Sequence, residues 1–526
     1  MIPTIGIDLG TTFCCVSYLG TDGQPVVIPD LEGNQTTPSI VCFTGTQASF
    51  GRKAAGRKHV PGAPVSEFFK RDMGAGEARA GLYKIGGYDY QAAGLQALLL
   101  RYLRAGAVQH FVTQGLLDPA EADSVRVPAV ITVPAYFMDR PRLETRIAGF
   151  AANLDVIDIV DEPVAAALTF GIGGVAPRLV LIFDLGGGTF DVTLIRMGAG
   201  QAQVLSKNGA QALGGRDWDL VIEKFIHAEY ERQFGQSVPD ELDWEVQESA
   251  LKAKIILSDQ PQTVVSLKVG SNNLLLTLYR DRESVPHGLD DQDDFSFDLD
   301  AEQPEVFVFE ERCNQLLATC RTLLEMLLDD AGKSWSDIDD IVLAGGSSRM
   351  PMVRKLLTKV ARRPLTLARP GFSYDTAIST GAALYSRQYG AVTNVLGHTV
   401  GIKVQNEAGH ASLRHLLKKD TPVPQASSEN TFRAVQNAVL EVYEGESLLD
   451  DALLRGSLPL GNPEGPVKVR MEVGPGGIIL ATVSYGDTTL RKDILPEGIN
   501  LDPTELARRI SGVSLDLPVE RVLSVS

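Results

Sequence analysis

LVLIFDLGGGTFDVTLI, residues 179–195, decides the fold. An apolar strand pattern ends at Asp184-Leu185-Gly186, Gly187, Gly188 and Thr189 follow, and a second apolar strand leaves the turn. Glycine at such a turn lets backbone amides approach one anion closely. Residues 5–17, IGIDLGTTFCCVS, repeat the design: a strand, then Asp8-Leu9-Gly10, with Thr11 and Thr12 adding hydroxyl donors before the next strand. Two such units facing across a cleft clamp a polyphosphate between their amides. Carboxylates beside a triphosphate repel it unless a divalent ion lies between them, and hard Mg²⁺ takes oxygen ligands and retained waters. Asp8 and Asp184 are therefore the expected magnesium acids. A third junction, IDDIVLAGGSSRMPMVRKLL at 338–357, runs from a strand through Gly345-Gly346 into a helix starting near Pro351, a place where a nucleoside can lie beside backbone.

The whole chain sets the frame. Its 526 residues, 44% hydrophobic and 22% charged, suffice for roughly two to four domains. With 49 basic against 66 acidic residues the formal charge is −17. That leaves no broad cationic surface, so no nucleic-acid partner is expected. The opening MIPTIGIDLG lacks a basic leader region, and no apolar run approaches the ~20 residues of a membrane span; a cytoplasmic protein without membrane contact is expected. Five cysteines make no disulfide framework, and Cys14 and Cys15 read as buried reduced thiols in a strand.

Up to about Gly390, β-branched runs ending in glycine-rich turns alternate with longer helical patterns, an α/β texture. Beyond it the segments are short and alternating. In VKVRMEV (467–473) Val467, Val469, Met471 and Val473 face one way and Lys468, Arg470 and Glu472 the other. The turn Gly474-Pro475-Gly476-Gly477 and the run from Ile478 to Val483 complete a hairpin, so the second domain is expected to be all-β. The acidic stretch Asp290, Asp291, Asp293 and Asp294 reads as a solvated loop. Near the end, Asp502-Pro503-Thr504-Glu505 reads as an N-cap, first-turn proline and capping-box acid, but Ser511-Gly512 stops the helix after about two turns, with no helical bundle expected to follow.

At these residues the sequence resembles the heat-shock protein 70 family within the superfamily of actin-like ATPases. Besides the three loops, AVITVPAYF (129–137), DEPVAAALTFG (161–171) and ALGGRDWD (212–219) stand in the family's order, covering residues 5 to about 390. The resemblance implies an actin-like α/β ATPase domain over 1–390, two lobes on duplicated ribonuclease-H-like cores. A linker over 391–399, a β-sandwich peptide-binding domain over 400–500 and a short helical stub and tail over 501–526 complete the expected order. It implies ATP/ADP and Mg²⁺ as cofactors, with K⁺ a further candidate. Gly10, Thr11, Thr12, Gly186, Gly187, Gly188, Gly214 and Gly215 would surround the phosphates, and Thr189 would lie near the γ-phosphate. Lys70 in SEFFKRDMG matches the lysine that positions the attacking water, and Glu162 and Asp191 match acids that orient water and metal shell. Lys254, Ser258, Gly345, Gly346, Ser347, Arg349 and Asp375 would line the nucleoside. In-line attack on a γ-phosphoryl group needs positioning and positive charge, which a lysine and a metal supply. Pro134 and Arg142 match positions that relay nucleotide state to the second domain.

Departures from the family pattern matter. In SALKAKIILSD (249–259) the family's glutamate and arginine are Leu251 and Ile255, which removes hydrogen bonds and a stacking guanidinium and predicts weaker ATP affinity or looser base selectivity. The linker AVTNVLGHT (391–399) keeps only Val395 and Leu396 as apolar contacts. LEVYEGES (440–447) and the VKVRMEV hairpin resemble the family's peptide-binding sandwich, with Phe432, Ala438 and Leu440 as groove candidates. Without a lid over that groove, dissociation is expected to be fast. The leading expectation is an ATP-switched chaperone for unfolded or extended apolar polypeptides, served by a J-domain co-chaperone and a nucleotide exchange factor. The alternative is a nucleotide-sensing holdase or exchange-factor-like module with little turnover. A small-molecule kinase or filament on the same fold leaves the sandwich unexplained.

Overall fold

The computed structural model describes residues 2–517 except 61–62, 75–82, 86–87, 172–175, 199–200, 287–305, 363–372, 388–391, 406–409, 434–436, 449–451, 475–477 and 495–501. The acidic stretch at 290–294 lies outside the described residues.

Two sheets with the same local plan carry the loops. In lobe I, Ile5–Leu9 runs antiparallel to Phe13–Leu19 and parallel to Val127–Val133, with Leu154–Asp161 next to the latter and Pro25–Ile28 beyond Phe13–Leu19. In lobe II, Arg178–Leu185 runs antiparallel to Phe190–Gly198 and parallel to Asp340–Ala344. Each phosphate-loop hairpin thus sits beside a parallel neighbour, which is the duplication the two motifs predicted. These strands are apolar and buried on both faces because helices cover both sides. Between the lobes the helices Glu162–Phe170 and Ala377–Tyr385 cross so closely that a Cβ at Gly381 would stand 1.7 Å from the Ala165 carbonyl oxygen.

Two sheets form the second unit. One joins Ala411–Leu417, Val400–Gln405, Ala438–Glu444 and Leu453–Gly461; the other pairs Gln425–Ala426 and Asn430–Arg433 with Pro466–Val473, followed by Ile479–Tyr485 and Thr488–Ile494. Val467, Val469, Met471 and Val473 are buried between the sheets and Lys468 and Arg470 point outward, as the alternation required. Leu440 is buried in the same core, and Phe432 and Ala438 pack half-buried against it. The actin-like ATPase fold followed by a β-sandwich is the fold class read from the sequence.

The connections are built into the nucleotide domain. Val392–Val395, inside the linker segment, adds as a parallel strand to Gln201–Ala210 of lobe II and pairs with Pro422–Val423. The helix Pro503–Ser511 starts on Asp502, whose carboxylate accepts the Thr504 amide at 2.8 Å. Glu505, expected to close a capping box, instead bonds Arg508 and Arg509 at 2.8 and 2.9 Å, because two guanidinium partners lie within one turn. This helix packs on lobe I, and Ser514–Leu515 adds beside Gln47–Phe50 to a separate small sheet that also holds Val41–Thr44 and Val65–Ser66.

Candidate nucleotide site

The two glycine turns meet face to face. A Cβ at Gly187 would stand 1.7 Å from Thr12 Oγ1, and one at Gly188 would stand 2.3 Å from Thr11 Cγ2, so no other residue allows the loops this approach. Amides of the Gly214–Gly215 turn bind the same loop: Gly215 N donates to Gly186 O at 2.9 Å and Arg216 N to Gly187 O at 2.8 Å. Arg71, which the sequence reading passed over beside Lys70, crosses from lobe I, donating from Nε to Gly188 O at 2.9 Å and pairing with Asp217 at 2.6 Å.

Beneath the loops lies a cluster of buried acids with one amine. The turn Phe69–Asp72 delivers Lys70, 3% exposed, whose Nζ is 2.6 Å from Glu162 Oε1 and 5.8 Å from the Phe137 ring centre. Burial, and then the charge of Glu162, push Asp8 and Asp191 up to about 8 and Asp184 well above its ordinary value. Oδ2 of Asp184 and Oδ2 of Asp191 are buried without a hydrogen-bond partner. Orphaned carboxylate oxygens facing glycine amides fit a hard cation carried in with phosphate. Among the described residues no three His, Cys, Asp or Glu side chains converge as a metal cage. A magnesium ion at Asp8 and Asp184 would complete its shell with phosphate and water oxygens, as Mg²⁺ prefers.

Before nucleotide binds, groups held near 8 are largely protonated at neutral pH, and a divalent cation favours their charged forms. Binding of Mg·ATP is expected to release protons at pH 7, and affinity is expected to rise from pH 6 to 8. Calorimetry in buffers of different ionisation heats measures this; proton uptake would contradict it.

At the nucleoside end Lys254, Ser347 and Gly215 converge. Lys254 Nζ bonds Asp219 at 2.7 Å and Gly215 O at 2.9 Å, and a Cβ at Gly215 would stand 2.3 Å from Ser347 Oγ. Ser258 turns to its own helix, donating to Lys254 O at 3.0 Å. Gly345 adopts φ 75°, and beyond it Arg349 pairs with Asp375 at 2.7 Å over the Tyr374 ring. Gly346 leaves open space, with only Asp375 at 4.0 Å from its would-be Cβ. Ile255 is 55% exposed on the same helix as Lys254.

A turn links this cluster to the sandwich. Pro134 opens it, its carbonyl accepting Phe137 N at 3.1 Å. The Tyr136 amide donates to Asp191 Oδ1 at 3.0 Å, while the Tyr136 carbonyl bonds His398 Nε2 at 3.1 Å. Arg142 holds Phe137 O at 2.9 Å and pairs with buried Asp161, which also receives Lys207 at 2.9 Å and Asn394 at 3.1 Å. Despite its burial, Asp161 is held down at about 2 by Arg142 and then Lys207. Farther out, Asp420 accepts Ser206 Oγ at 3.0 Å, Lys419 meets Asp330 at 2.6 Å, Glu444 accepts the Asp139 amide at 3.2 Å, and Arg455 pairs with Asp139. Asp161 opens the quoted motif DEPVAAALTFG and His398 lies in the quoted linker segment, but Lys207 and Asp420 lay in no quoted segment.

A two-lobed actin-like fold with facing glycine hairpins over buried carboxylates, and a β-sandwich following it, defines the class of protein: an actin-like ATPase domain joined to a β-sandwich domain. A family profile described as Hsp70 protein matches residues 4–494. The chain is 31% identical over 534 aligned residues to heat shock 70 kDa protein 6, chloroplastic, of Arabidopsis thaliana, covering 95% of this chain and 70% of that protein. It is also 31% identical over 510 residues to the chaperone protein DnaK of Mycoplasmopsis agalactiae, covering 93% and 78%. The chain belongs to the Hsp70 family of chaperones. Members of that family bind ATP or ADP with Mg²⁺ and are chaperone ATPases. No helix among the described residues is long and apolar enough to cross a membrane.

Proposed function

We propose that this chain is an ATP-dependent chaperone in which Mg·ATP binding and slow hydrolysis switch the affinity of the sandwich for extended apolar polypeptide segments. The observation that carries the reading is the turn at Tyr136, bonded to Asp191 on one side and to His398 at the root of the sandwich on the other. Asp191 gains or loses its metal shell with the nucleotide, so the turn between them has a reason to move. Lys70 places positive charge at the transferred group and Glu162 holds it there; Thr189 stands at the γ-phosphate end of the loop. Asp8 and Asp184 hold magnesium, which when bound neutralises phosphate charge. K⁺ beside the phosphates is part of this reading, as are a J-domain protein and an exchange factor as partners. Five free, buried cysteines support work in a reducing compartment such as the cytoplasm. The alternative, a nucleotide-sensing holdase, rests only on Leu251 and Ile255 standing where the resemblance expects a glutamate and an arginine.

Single-turnover hydrolysis with and without an extended apolar peptide tests the reading. Peptide stimulation is expected; tight Mg·ATP binding without turnover selects the sensor instead. The pocket has its own test: Leu251→Glu with Ile255→Arg is expected to tighten ATP binding about tenfold, on the order of 1.4 kcal/mol, read by calorimetry against GTP. No gain, or an equal gain for GTP, would remove the pocket as the cause.

A further inference from the structure

The C-terminal segment is anchored to lobe I by every kind of contact available to it. Leu506, Ile510 and Val513 are buried in the lobe I core against the helices Ala92–Thr113 and Asp139–Ala151. Arg101 donates to the carbonyls of Ile510 at 2.6 Å and Val513 at 2.8 Å, satisfying the open end of the helix. Ser514 and Leu515 then pair in parallel with Gln47 and Ala48; Ser514 N donates to Thr46 O at 3.0 Å and Asp516 N to Ala48 O at 2.8 Å. Asp516 closes the contact by taking Lys53 at 2.7 Å and Ser49 Oγ at 2.9 Å. The edge of Gln47–Phe50 is thereby covered by the chain itself.

The sandwich is consequently pinned at both ends. Its entry, Val392–Val395, is a strand of the lobe II sheet, and its exit is this lobe I contact. From Ile494, which ends the last sandwich strand, to Asp502 the chain reaches at most roughly 28 Å by any path. A sandwich that leaves the nucleotide domain farther than that must first tear the segment from lobe I.

We propose that residues 502–517 form a strap whose docking surface is the Gln47–Phe50 edge and the adjoining helices, and that it keeps the sandwich against the nucleotide domain in every nucleotide state. The proposal rests on the reading above only for the existence of a nucleotide cycle, and its test involves no turnover.

Single-molecule energy transfer between dyes at the exposed positions Thr489 and Gln233 of the full chain reads the separation. One short distance is expected with Mg·ATP, with Mg·ADP and without nucleotide. Ile510→Asp is expected to raise a separated population at least tenfold without nucleotide. Should that variant fold poorly, Asp516→Lys attacks the strap from its surface side, and Ser514→Cys with Gln47→Cys locks it by a crosslink. A chain ended after residue 501 is expected to show the separated population too, and an added peptide of residues 502–517 is expected not to restore the short distance, because it is not joined to the sandwich. A separated population in the unmodified chain that the crosslink abolishes overturns the proposal, as does an unchanged distance in both Ile510→Asp and Asp516→Lys. Loss of hydrolysis would count against the proposed chaperone cycle and leaves these distances untouched.

Discussion

Lys70→Ala is expected to lower single-turnover ATP hydrolysis by about 10²–10³-fold while Mg·ATP binding survives, the scale found when one preorganised electrostatic group is removed from a reacting oxyanion. The amine is 3% exposed and lies among Asp8, Glu162 and Asp184, so the charge it supplies is poorly screened. The substitution also does a second thing. It leaves Glu162 buried without its 2.6 Å partner, and breaking a buried pair from one side costs about 3–5 kcal/mol. A loss of activity could then report a disturbed fold. Lys70→Ala with Glu162→Gln separates the two: the neutral amide removes the stranded charge, so thermal stability should return toward that of the unmodified chain while hydrolysis stays low. Recovery of hydrolysis in the double variant would show that Lys70 acts by holding Glu162 in place and not on the phosphoryl group.

How far the sequence carried the site follows from the kind of constraint at each residue. Gly187 and Gly188 were legible because two loops in contact tolerate no Cβ, and such demands leave a run that repeats at Gly10. The alternation in Pro466–Val473 was legible because a half-buried strand has period two. Arg71 was not, although it stands beside Lys70: its partners are a carbonyl and Asp217, far away in sequence and of no distinctive type. The partner of the C-terminal helix was not legible for a related reason. The amphipathic turn with Leu506 and Ile510 reads the same whether its apolar face meets the sandwich or lobe I, and only the tertiary arrangement assigns the partner.

Asp161 was named in a motif only as the residue before Glu162, yet it is the point where the two lobes and the linker strand share charge. Its carboxylate receives Arg142, Lys207 and Asn394 at almost complete burial. Asp161→Asn keeps the shape and removes the charge, leaving two cations facing each other out of water. The contact between the lobes and the linker strand is expected to weaken by about 3–5 kcal/mol, the cost of stranding buried charge, and the docking of the sandwich with it. The pH dependence carries a sign. In the unmodified chain the Asp161 pKa lies at about 2, below its unfolded value, so its stabilisation is complete above about pH 4 and is lost only as pH falls from there toward 2. In the variant, Lys207, already lowered by burial, loses the partner that opposed that shift, and docking should then weaken as pH falls through the lysine's new value because the buried amine must take up a proton. Peptide stimulation of hydrolysis should fall more than basal hydrolysis, and the Thr489–Gln233 dye pair should report opening that grows as pH falls. That opening should stay limited while the strap is docked, because the chain between Ile494 and Asp502 reaches at most roughly 28 Å, and should widen once Ile510→Asp is added. If Asp161→Asn alone already gives wide separation, lobe I and the sandwich are held together at Asp161 and the strap is an ornament of lobe I.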